Sequence, residues 1–221
     1  MIENIPSGQE SELFIYMLIL FILGMARTLE GGRLTMFMQS FTNTTLVDQQ
    51  LRQERAFSRL ALIAFSSVLF ILSCFITLSL RYFGYFHDFS FFGLYATLVI
   101  VLVLMTTGRV AIYSLLAWLF DLDALQQHYS FHWLLTNFIL VLGLLPLSIL
   151  ISFGPRSLIG GEVWLGLGAI LIFYFIRVLR LGSICAFQFR IPLHYNFIYI
   201  CALEILPILL AMTLVSRQFA G

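Results

Sequence analysis

A chain of 221 residues that is 61% hydrophobic and only 10% charged has more apolar surface than a water-soluble domain can hide. Soluble domains carry about 25% charged residues, and large exposed apolar patches drive aggregation. The net charge of +1 leaves no electrostatic footprint for nucleic acid, so the bilayer is the solvent this composition fits.

A membrane span needs about 20 mostly apolar residues at 1.5 Å rise each. The first candidate is 13–29, short, with Leu13 to Ala26 free of charge and Glu3, Glu10 and Glu12 on its flank. It lacks the basic leader and small-residue cleavage site of a signal peptide, so it reads as a retained helix. Residues 27–59 follow, with Arg27, Arg33, Arg52, Arg55 and Arg59 among Glu30, Asp48 and Glu54. Leu34, Met36, Phe37, Met38 and Phe41 add apolar anchors, and Asn43-Thr44-Thr45 breaks the segment. The pattern predicts a cytoplasmic loop whose part 30–59 lies on the membrane surface.

The second span is expected at 60–80, with Gly84 and Asp88 marking a turn, and the third at 91–107, ended by Thr106-Thr107-Gly108-Arg109. The apolar piece Val110 to Phe120 either continues the third helix or lies at the interface with Trp118 at headgroup level. A polar stretch from Asp121 to Tyr129 leads into the fourth span at 132–153, ended by Gly154-Pro155. The fifth is expected at 163–180 and the sixth at 193–215. The expectation is therefore an all-α bundle of about six spans in a single domain over 1–221, without internal repeats.

All twelve basic residues are arginine. With the N-terminus outside, the cytoplasmic segments hold Arg27, Arg33, Arg52, Arg55, Arg59, Arg109, Arg177, Arg180 and Arg190, and the outer ones only Arg81, Arg156 and Arg217. The positive-inside rule then places both termini outside the cytoplasm. Cys74, Cys185 and Cys201 lie in or beside apolar stretches without Cys-x-x-Cys spacing. They read as small buried residues, not as a disulfide framework or a metal site.

The run Phe189-Arg190-Ile191-Pro192-Leu193-His194-Tyr195-Asn196-Phe197-Ile198-Tyr199-Ile200-Cys201-Ala202-Leu203-Glu204-Ile205-Leu206-Pro207 resembles the closing motif of an uncharacterised family of Bacteroidota integral membrane proteins, a domain of unknown function. Upstream, Tyr113 to Phe120 is similar to the family's short helix ending in Phe, as is Asn137 followed by Leu144-Leu145-Pro146. The resemblance covers roughly residues 50 to 215. Members usually place a Phe before the motif His, whereas Leu193 precedes His194 here. The resemblance implies a bacterial inner-membrane location and supplies no activity.

Glu204 stands near the middle of the sixth span, where a charged side chain costs about 2.5–3.5 kcal/mol on insertion scales. Pro207 has no N–H, so the carbonyl of Leu203 loses its helical donor beside that carboxyl. Together they could hold a cation, a protonated group or a water, or Glu204 could be locked to a base on a neighbouring helix. His194 and Asn196 open the same helix, about 15 Å along the axis from Glu204, at a depth suited to interfacial anchoring. Arg177 and Arg180 share a helical face and, with Arg190, form a basic cluster able to contact lipid phosphate. His128 and His132 are four apart, near Asp121 and Asp123, but Tyr129-Ser130-Phe131 between them lacks the Glu of a metalloprotease motif. No metal site, catalytic residue or cofactor is expected.

Three functions fit these features. A scaffold or subunit of an envelope complex, working with membrane lipids and other envelope proteins, needs no catalytic motif. A small ion- or proton-coupled carrier would use Glu204, with Pro207, Gly166 and Gly168 permitting helix breaks and close packing. An enzyme on lipid-linked phosphate would need paired carboxylates or a metal triad beside the arginines. The first is the expectation, without enzymatic activity.

Overall fold

The computed structural model describes residues 9–39, 54–84, 89–120, 123–155 and 159–183. Among them all regular structure is helical: α1 (Gln9–Gln39), α2 (Glu54–Tyr82), α3 (Phe91–Phe120), α4 (Asp123–Phe153) and α5 (Ile159–Ser183). Among the described residues, four stretches are long and apolar enough to cross a membrane: Ala61–Tyr82, Phe91–Ile112, Ser130–Phe153 and Ile159–Arg180. At 1.5 Å per residue, 22 residues reach about 33 Å, which matches the hydrocarbon core. The apolar part of α1, Glu12–Met25, is shorter. The expected sixth span lies outside the described residues.

The helices run further than the sequence pattern suggests. α1 does not stop at residue 29 but continues as one helix to Gln39. Gly31-Gly32 weakens it by about 1 kcal/mol per glycine, yet no proline interrupts it and the Asn-Thr-Thr breaker comes only at 43–45. α3 likewise passes through Thr106-Thr107-Gly108-Arg109 to Phe120, so 110–120 continues the third helix. Both threonines turn their hydroxyls back onto carbonyls of their own helix, at Leu102 and Val103, and so interrupt nothing. α4 takes in most of the polar stretch before His132, and tolerates Pro146 at an exposed position.

Successive helices alternate in direction. The hydroxyl of Tyr16, near the start of α1, reaches Ser148 and Ser152 near the end of α4. Phe83, just past α2, packs edge-on against Trp164 at the start of α5, with ring centres 5.9 Å apart. At the opposite end, Phe65 of α2 meets Trp133 of α4. The α2–α3 connection is fastened on both sides. Gly84 takes a left-handed φ of 81° to close α2, and Ser90 caps α3 through its Oγ, which accepts from the N–H of Gly93 at 3.1 Å. Arg81 donates to the carbonyl of Phe89 and lies over the ring of Phe91.

α2 and α4 form the central pair, with α1, α3 and α5 around them. Their spans are 56% and 50% buried, against 17% for α3 and 11% for α5. The core joins Val68, Ile71 and Phe75 of α2 to Phe138, Val141 and Leu144 of α4. Gly166 of α5 lets the ring of Phe75 rest on its backbone; a methyl group there would collide with the ring.

Candidate functional site

Glu204, Pro207, His194, Asn196 and Arg190 lie outside the described residues. Arg177 and Arg180 are placed, and both occupy the end of α5. There the guanidinium of Arg177 stands over the rings of Trp133, at 5.9 Å, and Tyr174, at 5.8 Å. The arrangement holds the charge over two aromatic faces, a geometry in which arginine is attracted by the ring quadrupoles. A basic group in the last turn also complements the helix dipole. His132, expected at the start of a span, is buried at the foot of α4. No three metal-ligating side chains gather among the described residues.

The structure assembles a second polar group at the opposite end of the bundle. Tyr16 is buried and its hydroxyl donates to the carbonyl of Ser148 at 2.8 Å. The same oxygen lies 2.9 Å from Ser152 Oγ and accepts from the thiol of Cys74 at 3.5 Å. Glu12 lies one turn before Tyr16 on α1, where the hydroxyl of Ser152 and the charge of Arg81 on α2 both favour the ionised carboxylate. Glu12 stands one residue before the first expected span. Burial pushes its carboxyl pKa up, against the Ser152 hydrogen bond and the Arg81 charge, which pull it down. Behind Cys74 lie Ser73, fully buried, and Tyr95, 6% exposed. Neither hydroxyl has a hydrogen-bond partner among the described residues.

Sequence reasoning missed this cluster. Cys74 is buried as expected, but it also donates a hydrogen bond, which spacing alone does not reveal. The available signal was the pair of one-turn repeats, Glu12 with Tyr16 and Ser148 with Ser152. Each puts two polar groups on one face of an otherwise apolar helix end. Most other buried hydroxyls serve their own helix: Ser67, Thr77, Ser79 and Ser148 each donate to a carbonyl four residues back.

Along the α2–α4 contact run Val68, Ile71, Phe138, Val141 and Leu144, with Ser67, Ser73 and Cys74 of α2 and Thr136 and Ser148 of α4 buried among them. Neither a curated protein nor a solved structure matches the chain. The family described as Domain of unknown function (DUF4271) matches residues 13–215, nearly the whole chain, and the chain belongs to that family.

Proposed function

We propose that this chain is a non-enzymatic scaffold or subunit of an envelope complex in the cytoplasmic membrane of a bacterium of the Bacteroidota, with both termini on the periplasmic side. Its partners are membrane lipids and other envelope membrane proteins. The observation that carries the reading is the apolar α2–α4 contact, whose buried hydroxyls are mostly bonded within their own helix. A carrier needs polar groups that converge near mid-membrane. Here Ser67, Thr77, Ser79 and Ser148 each spend their hydroxyl on a carbonyl of their own helix, and the α2–α4 contact is lined by Val68, Ile71, Phe138, Val141 and Leu144. That is the construction of a packing unit. The apolar surfaces of α3 and α5, with Ile100, Leu104, Leu171 and Phe175 exposed, suit contact with lipid and with other spans.

The test is cross-linking in intact membranes, followed by purification in mild detergent and quantitative mass spectrometry. The expected result is one or more envelope membrane proteins in stoichiometric amount. Proton- or ion-driven flux in liposomes that is lost in Glu204→Gln would replace this reading by a carrier. Turnover of a polyprenyl or lipid phosphate would replace it by an enzyme.

A further inference from the structure

The end of α5 carries an apolar strip that runs up to a cation. Ile172, Ile176 and Arg180 are spaced four apart, so they lie one above another on the same side of the helix. Ile172 is 56% exposed and Ile176 39%, and among the four described spans that of α5 is the least covered by protein. The apolar stretch Ile159–Arg180 ends on Arg180 itself, and its 22 residues reach about the thickness of the hydrocarbon core. Arg180 therefore stands at headgroup level, with Arg177 about 4.5 Å deeper along the axis.

Arg177 is held in place at that depth. Its guanidinium lies over the rings of Trp133 on α4 and Tyr174 on α5. Contact with ring faces draws on the charge and uses no N–H, and a guanidinium carries five such donors and no acceptor. Arg180 brings a second group of the same kind one turn away. Two like charges this close on a helix repel, and an anion set between them turns the repulsion into attraction. Among the described side chains the acids are Glu12 and Glu162, at the starts of α1 and α5, and both belong to the opposite end of the bundle.

We propose that Arg177 and Arg180 hold the phosphate of an anionic phospholipid whose acyl chain lies over Ile172 and Ile176. A phosphodiester presents acceptor oxygens, and the planar fork of an arginine meets two of them at once. A free phosphate would satisfy the same donors but leave the apolar strip below them uncovered; a lipid covers both. A zwitterionic lipid brings its own cation to the same place, where two arginines disfavour it. The inference rests on membrane lipids being partners of the chain, and not on its role as a scaffold.

The experiment purifies the full chain in mild detergent and measures lipid retention by native mass spectrometry, with phosphatidylglycerol, phosphatidylcholine and inorganic phosphate as probes. The wild type should retain phosphatidylglycerol in preference to phosphatidylcholine, and inorganic phosphate should not displace it. Arg177→Gln and Arg180→Gln should each weaken that retention about fivefold, the effect of removing one base beside an anionic lipid. Arg180→Lys should recover part of it, and Arg27→Gln, at an exposed base on α1, should leave it unchanged. A second measurement needs no arginine variant. In a chain with Trp118→Phe and Trp164→Phe, phosphatidylglycerol brominated on its acyl chain and diluted in phosphatidylcholine nanodiscs should quench Trp133 more than its mole fraction predicts. Quenching that only follows the mole fraction overturns the proposal. So does equal retention of the two lipids, displacement by inorganic phosphate, or a loss in Arg27→Gln as large as in the α5 variants. Retained phosphatidylglycerol that ignores both α5 variants removes this site alone, whereas a wild type that retains no lipid at all removes membrane lipids as partners too.

Discussion

Replacing Gly166 with alanine would drive a methyl group into the fully buried ring of Phe75 and bring it close against Leu144. The ring has nowhere to go without displacing α2 from α5. Overpacking of this kind costs about 1–3 kcal/mol, so Gly166→Ala should lower unfolding stability in detergent by that amount. The double variant Gly166→Ala with Phe75→Leu should recover part of the loss. Tyr16→Phe tests the other well-packed residue. The ring stays beside Phe153, but Ser152 and Cys74 lose their acceptor, and leaving such groups unsatisfied costs about 1–3 kcal/mol. A denaturant series on Tyr16→Phe should show a loss in that range. At Glu204 the expectation is functional: Glu204→Gln and Pro207→Ala should leave membrane abundance near normal while failing to restore a deletion strain. Full rescue by Glu204→Gln would remove that residue as a site, and loss of the protein from the membrane would mark it as half of a structural pair.

Helix by helix, the apolar runs were legible because a bilayer demands length and little else. The starts and ends were not, and the reason is physical. Thr106 and Thr107 look like a helix stop in a sequence, but inside a membrane a threonine satisfies its hydroxyl on its own helix and passes unnoticed. Arg109 did not end α3 either. The α2–α3 turn, by contrast, was announced by Gly84, whose left-handed backbone is the usual close of a helix. The stretch 27–59 remains the part whose surface role is open to a direct measurement, although α1 extends through its first third. A peptide of these residues should bind anionic vesicles more tightly than neutral ones, each base near the surface contributing about 1 kcal/mol, and less at high salt. Equal binding to both vesicles would remove lipid contact as its role.

For the molecule as a whole, alternating helices and an arginine-rich end make one orientation favourable. Arg177 stands at the end shared by Trp133 and Phe65, and Arg81 at the end shared by Phe89 and Phe91. With the first end cytoplasmic, a reporter active only in the cytoplasm should be silent when fused after Gly221 and active when inserted near Asp121. Strong activity after Gly221 would sink that topology. Composition and the C-terminal motif led to a membrane protein of a family without known activity, and nearly the whole chain matches such a family. The Tyr16 cluster stayed hidden because it joins residues more than 130 positions apart in the chain, and no local pattern carries that information.

The layer of Val68, Ile71, Phe138, Val141 and Leu144 also acts as an insulator. A membrane potential falls mainly across material of low permittivity, where moving one elementary charge through 100 mV involves about 2.3 kcal/mol. Groups at the very ends of the helices sit close to the potential of the water they adjoin. Glu12 lies beyond the layer, at the end of the bundle where α1 begins. A charge there lies outside the steepest part of the field, so its energy is nearly indifferent to voltage.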